Sequence, residues 1–210
     1  MLTSEITLAV KHLSKRDKVL STIIKNFGII NLASHKKYFD LLLGSIISQQ
    51  LSMYAAASIE KRFLNFFKNK PRPEIILQTD DAVLRSIGLS NAKVKYVKDL
   101  SQKIISGELK LKGFSKKSDD EIIAELTKVK GIGIWTSHMF LIFTLGRINV
   151  LPVGDLGIRK SIMVNYSLKK LPDEKIIRSI AKKNNWHPYC SVASLYLWRS
   201  LDTKGESQLN

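Results

Sequence analysis

Three observations predict an all-α fold of about ten helices. Apolar residues recur at helical spacing over most of the chain, capping side chains stand ahead of run after run, and strand signals are weak almost everywhere. No internal repeat and no low-complexity linker interrupts that pattern.

Taken in order, residues 4–13 and 16–27 read as two helices, the second ended by Gly28. KYFDLLLGSIISQQ, 37–50, is apolar nearly all round, as a buried helix is. Ser52 is placed to cap the helix MYAAASIEKRFLNFF, which stops before the breaker KNKPRP. Thr79-Asp80-Asp81 caps a short helix to Ile87, Gly88-Leu89-Ser90 is a turn, and 91–106 is helical with a basic side at Lys93, Lys95 and Lys98. Ser118-Asp119-Asp120-Glu121 has the form of a capping box. A very apolar helix is expected over 134–145, another from Asp155 to about Tyr166, one begun by Pro172-Asp173-Glu174, and a last one over 188–201 before a frayed KGESQLN.

Lys and Arg number 34 against 18 Asp and Glu, a net charge of +16 over 210 residues. Such an excess favours a polyanionic partner, because each neutralised phosphate releases counterions. The longest apolar stretch, 139–146, is too short to span a bilayer, and no basic leader precedes an apolar run at the start, so no membrane partner and no signal peptide are expected. A single cysteine, Cys190, excludes an internal disulfide framework and a four-cysteine cluster, and the four histidines lack zinc-ligand spacing. These features describe an intracellular protein without a cofactor.

The stretch from Leu126 to Lys160 carries the chemistry. Gly131-Ile132-Gly133 lies between two helical segments, where glycines let successive N–H groups face an anion and the following helix adds the positive end of its dipole. Lys128 and Lys130 flank the turn with charge, and Ile132 would dock it on the protein. Alone, such a turn is more often a plain connection between helices. Asp155, 22 residues after Gly133, stands at the mouth of a helix, where a plain N-cap is the simpler reading.

Together these motifs are specific. Leu126-x-x-Val129-Lys130-Gly131-Ile132-Gly133-x-Trp135-Thr136-Ser137 resembles the helix-hairpin-helix of the DNA glycosylase (HhH-GPD) superfamily. Pro152-Val153-Gly154-Asp155-Leu156-Gly157 resembles its Gly/Pro-rich loop and catalytic aspartate, at that family's spacing. Ile46-Ile47-Ser48-Gln49-Gln50-Leu51-Ser52 and Trp186-His187-Pro188-Tyr189 with Tyr196-Leu197-Trp198-Arg199 are similar to one branch, the alkylation-repair DNA-3-methyladenine glycosylases II. The resemblance covers roughly residues 38–201.

It implies two helical lobes with a cleft between them, 31–148 ending in the hairpin and 1–30 plus 149–210 carrying Asp155. It also implies a monomer with no obligate protein partner, acting on double-stranded DNA with damaged bases at the nucleoid (or in a nucleus). Base release builds positive charge on the sugar, so a carboxylate facing it stabilises the oxocarbenium and orients or deprotonates water. Bifunctional members carry a nucleophilic lysine two residues past the second hairpin glycine; Trp135 stands there, which implies a monofunctional enzyme without lyase activity. Trp135 and Trp198 would wall a pocket for cationic alkylated purines such as 3-methyladenine and 7-methylguanine, though Trp198 reads equally as core. Gln49 and Gln50 would line that pocket or the DNA face, or merely close a helix end, and Ser52 would line the pocket; Tyr54 and Tyr38 are further walls or, more readily, core.

Base flipping needs a side chain to fill the gap, and the turn at Leu89, Ser90 and Asn91 resembles the loop that supplies it. With Lys128, Lys130, Gly131, Ile132, Gly133 and Thr136 these residues make the expected DNA contacts. Carbonyls of Thr127, Val129 and Gly131 would offer a main-chain site to a monovalent cation; no side-chain metal site is expected. The chain departs from relatives in having Lys130 where proline is common and Ser52 where some have histidine, and it has no room for the N-terminal sheet domain of larger bacterial relatives. Rival readings are a glycosylase for hypoxanthine, uracil or an oxidised purine, a non-catalytic helix-hairpin-helix protein, and a basic membrane-surface domain.

Overall fold

The computed structural model describes residues 2–206, and the side chains of 4–201. Among them are twelve α-helices, α1 (Leu2–Arg16), α2 (Lys18–Phe27), α3 (Tyr38–Ser48), α4 (Met53–Phe66), α5 (Pro73–Gln78), α6 (Asp81–Ile87), α7 (Asn91–Ile105), α8 (Asp119–Leu126), α9 (Ile134–Met139), α10 (Leu156–Asn165), α11 (Glu174–Lys183) and α12 (Cys190–Glu206), and no strand. The all-α expectation holds. The end of the chain expected to fray is partly helical, since α12 reaches Glu206, and partly outside the described residues, 207–210.

Side-chain caps set most of the helix starts. Asp17, Ser52, Asp80, Ser90, Ser118, Asp155 and Asp173 each accept a backbone N–H from the first turn that follows. The capping box is formed in full: Glu121 N–H donates to Ser118 Oγ at 3.3 Å and Ser118 N–H to Glu121 Oε2 at 2.7 Å. Two elements depart from expectation. KNKPRP ends α4, but Pro73 then occupies the first turn of α5, where its missing N–H has no helical partner to lose. The long apolar helix expected over 134–145 is α-helical only to Met139 and continues as a π turn, Phe140–Thr144.

The helices divide into two compact units. In the unit 35–140, α3 is the central apolar rod, with Leu42, Leu43, Ile46 and Ile47 buried, and it packs on α4 and α7. Phe114, Tyr38 and Phe140 form an aromatic cluster with ring centroids 5.7–6.4 Å apart.

The unit made of 2–34 and 141–206 is built on α12, which packs against α10, α2 and α1. Asp17, 1% exposed, ties this unit together. Its Oδ1 accepts the N–H groups of Val19 and Leu20, and its Oδ2 accepts Tyr166 Oη–H at 2.5 Å and Trp186 Nε1–H at 2.7 Å. A buried carboxylate is tolerable when donors surround it in this way. Burial and the bond to Asp17 push the Tyr166 phenol far above its ordinary range.

Candidate active site and nucleic-acid interface

Each unit contributes its own part of the predicted machinery. In the unit 35–140 the hairpin runs from the end of α8 through Gly131 to the start of α9. Gly131 has φ +83°, and a Cβ there would sit 2.2 Å from Tyr96 Cδ2. Glycine is therefore required at 131 both by the backbone and by the ring beneath it. Gly133 differs: its φ is −101°, and a Cβ would meet nothing within 4 Å. The protein itself places no demand on that position, whereas a phosphate backbone drawn close to it would. No side chain caps α9, and Gly133, Ile134 and Trp135 at its start are exposed.

Several side-chain bonds hold this turn. Gln49 Nε2 donates to the Gly131 carbonyl at 2.8 Å, and Lys130 N–H donates to Asp99 Oδ2 at 2.8 Å while the Lys130 ammonium stays largely in solvent. Lys128 is exposed and Ile132 is buried, the apolar plug of the turn. Of the carbonyls considered for a cation, Gly131 takes the Gln49 amide and Val129 takes Ile132 N–H at 3.1 Å. Thr127, whose hydroxyl donates to Ile123 O, is exposed. Each carbonyl keeps a second lone pair, so the set remains compatible with a monovalent ion. Trp135, on the first turn of α9, is 49% exposed.

The structure alters several expectations. Leu89 is 3% exposed: the left-handed cap at Gly88 (φ +119°) turns it back onto α6, as the residue after such a cap often packs, so it is not available as a wedge in this conformation. Ser90 caps α7 and Asn91 is exposed beside it. The Thr136 side chain is buried, which leaves it only its backbone to offer a phosphate. Ser52 spends its hydroxyl oxygen on the Ala55 N–H. Tyr38 joins the Phe114 cluster, but Tyr54 is 88% exposed and is no core residue.

What the sequence reading missed is an exposed apolar tip. Leu51, Met53 (91% exposed) and Tyr54 stand in solvent at the start of α4, directly after Gln50, a non-glycine residue held at φ +56°. Large apolar side chains gathered in solvent beside a strained backbone mark an interaction surface. The tip is anchored to the neighbouring turns, since Gln49 reaches the hairpin and Lys93 Nζ donates to Ile47 O at 2.8 Å. Burial pushes the Lys93 ammonium below its ordinary range. The sequence offers little signal for it, because apolar residues at the start of a helix look like helix core.

In the other unit Asp155 caps α10 and is 8% exposed. Its Oδ1 accepts Ile158 N–H at 2.8 Å and the Trp198 indole N–H at 2.7 Å. Gly157 makes room for that contact: a Cβ there would lie 2.9 Å from Trp198 Cδ1 and 3.0 Å from Asp155 Oδ1. The Trp198 ring lies 5.6 Å from Phe143 at 32°, and both rings line a cavity of about 360 Å³ with Ile30, Asn31, Leu195 and Arg199. Phe143, in the π turn, was not singled out from sequence, because inside an apolar run it looks like any buried phenylalanine; it is 45% exposed. A carboxylate held by two donors beside an aromatic cavity is equipped to face a cationic centre on a flat, electron-poor ligand.

Comparison with known proteins agrees with the motifs. The family model described as HhH-GPD superfamily base excision DNA repair protein matches residues 43–185. DNA-3-methyladenine glycosylase 1 of Schizosaccharomyces pombe is 32% identical over 205 residues, 95% of this chain and 89% of that protein. The solved structure of S. pombe 3-methyladenine DNA glycosylase in complex with abasic DNA matches with a TM-score of 0.81 at 33% identity, covering 91% of this chain and 95% of that one. A DNA-3-methyladenine glycosidase from Bacillus halodurans gives a TM-score of 0.82 at 34% identity, covering 94% and 91%. This chain belongs to the HhH-GPD superfamily of base excision DNA repair proteins.

Proposed function

We propose that the protein is a monofunctional DNA glycosylase of base excision repair that hydrolyses the N-glycosidic bond of alkylated purines, 3-methyladenine and 7-methylguanine, in duplex DNA. The observation that carries this reading is the shared indole: Trp198 binds the Asp155 carboxylate with its N–H and walls an aromatic cavity with its ring. The relatives named for 3-methyladenine support the substrate class.

In this reading the hairpin N–H groups at Gly133 and α9 take a phosphate, with Lys128 and Lys130 adding charge. The damaged nucleotide leaves the stack, at a cost of a few kcal/mol that is least for a damaged base. Met53 or Leu51 fills the gap, with Tyr54 and Asn91 on the same unit touching the duplex nearby. Aromatic faces at Trp198 and Phe143 favour the cationic base by about 0.5–2 kcal/mol. The glycosidic electron pair departs with the base and cancels its positive charge, while Asp155 stabilises the oxocarbenium left on the sugar. Water then adds to C1′ and gives its proton to the carboxylate. Trp135 has no amine to attack the sugar, so an abasic site is the product.

A panel of duplexes, each with one lesion (3-methyladenine, 7-methylguanine, hypoxanthine, uracil or 8-oxoguanine) and read after alkali, tests the reading. Release of the methylated purines first is expected; preference for another lesion reassigns the substrate. Asp155→Asn should lower base release by about 10²–10³-fold with duplex affinity kept. Full activity in that variant would remove Asp155 from the mechanism. Strand cuts without alkali would overturn the monofunctional assignment.

A further inference from the structure

We infer that Trp198 is a positioning residue for the Asp155 carboxylate, and that a base seated in the cavity it walls sets the aim of that carboxylate through the same indole. The inference rests on the reading of Asp155 as the hydrolytic group.

Oδ1 of Asp155 receives two donors of different origin. Ile158 N–H comes from the helix that Asp155 itself caps, at 2.8 Å, and would be present at any aspartate N-cap. The Trp198 N–H comes from α12, 43 residues away, at 2.7 Å. Two donors on one oxygen from different helices fix the carboxylate plane, where a cap bond alone leaves it free to rotate. The contact is also built for: Gly157 is the residue whose missing Cβ admits the indole, since a Cβ would lie 2.9 Å from Trp198 Cδ1 and 3.1 Å from its Nε1.

The same indole also lines the cavity. Its ring is tilted 32° against Phe143, and the cavity of about 360 Å³ extends to Ile30, Asn31, Leu195 and Arg199. Arg199 turns its guanidinium over Phe27, 5.9 Å from the ring centroid. A flat base stacked on Trp198 restricts the ring, and a restricted ring holds its N–H on Oδ1. Recognition of the base and orientation of the acid are then one event. Displacing a reacting group by about 1 Å costs on the order of 10²-fold in rate, which is the scale of effect expected.

The test separates the two uses of Trp198. Trp198→Phe keeps a ring and removes the donor; Trp198→Ala removes both. On a 3-methyladenine duplex, Trp198→Phe should lower the single-turnover rate by about tenfold to a hundredfold while the half-saturating enzyme concentration changes less than about twofold. Trp198→Ala should raise that concentration as well. Gly157→Ala, which displaces the indole without altering its chemistry, should reproduce the rate loss of Trp198→Phe and carries the test should that variant fail to fold. In the Trp198→Phe background Asp155→Asn should cost much less than in the wild type.

Wild-type rate in both Trp198→Phe and Gly157→Ala, or a change confined to affinity, overturns the inference and leaves Trp198 a wall. A second arm needs no substrate: the Trp198 indole N–H resonance should exchange slowly with solvent and move on Asp155→Asn. An unmoved resonance overturns the inference. Absence of base release from every lesion by the wild type would sink the functional reading, and this resonance would then decide the contact alone.

Discussion

The Tyr96 ring lies where a side chain at position 131 would stand, with its Cδ2 2.2 Å from the Cβ that Gly131 lacks. Two residues further on, the space beside Gly133 is open. One hairpin thus contains a glycine required by the protein and a glycine that the protein does not require. Gly131→Ala should destabilise the fold by at least about 2 kcal/mol, from a positive-φ backbone and a ring forced aside. Gly133→Ala should leave the melting temperature within about 2 °C and still weaken duplex binding by about tenfold. Thermal unfolding together with a duplex titration reads both, and unchanged affinity in Gly133→Ala would mean that the turn does not approach a phosphate.

Met53 is the most exposed large apolar side chain of the described residues, and Tyr54 follows it. Replacing Met53 by Ser removes apolar surface from solvent, so the folded protein should be no less stable. Base release from duplex DNA should fall several-fold, while release from single-stranded DNA, where no gap is left to fill, should not. A fall of equal size on both substrates would assign Met53 to a different task.

Asp17 takes no part in the proposed chemistry and is central to its unit's stability. Asp17→Ala leaves Tyr166 Oη–H, Trp186 Nε1–H and two backbone N–H groups without their acceptor, and should cost about 3–5 kcal/mol. Chemical denaturation at neutral pH measures this. A loss below 1 kcal/mol would mean that water enters and replaces the carboxylate.

Burial pushes the Cys190 thiol from 9.0 up to about 11. Above pH 9 the unfolded thiol ionises while the folded one stays neutral, so stability is lost as pH rises from 9 to 11. The Tyr166 phenol, also raised, adds to the loss above pH 10. Cys190→Ala should flatten the slope between pH 9 and 11 by about 1–2 kcal/mol. Denaturation midpoints at pH 8, 9.5 and 11 give the comparison.

Local chemistry made most of the fold legible. Ser52, Asp80, Ser90, Ser118, Asp155 and Asp173 each announce a helix start within three residues, and the structure forms each cap. The hairpin and the Asp155 loop were readable for the same reason, since backbone freedom and helix polarity are written in neighbouring residues.

Long-range partners were not legible. Asp17 meets Tyr166 and Trp186 across 149 and 169 residues, and nothing beside Asp17 distinguishes it from a cap on the surface. Trp198 looked like a wall because an indole ring is conspicuous, whereas its N–H acts on an acid 43 positions earlier. The side chain of Leu89 was misread because whether the residue after a left-handed cap faces solvent or core depends on helices outside the turn.

Gly157 and Trp198 bind each other's evolution. A lineage that gains any side chain at 157 must shrink or rotate the residue at 198 in the same step or soon after, and one that loses the indole is released to vary 157. The two positions should therefore drift as a pair across descendants of this chain, with the change at 198 permitting the change at 157.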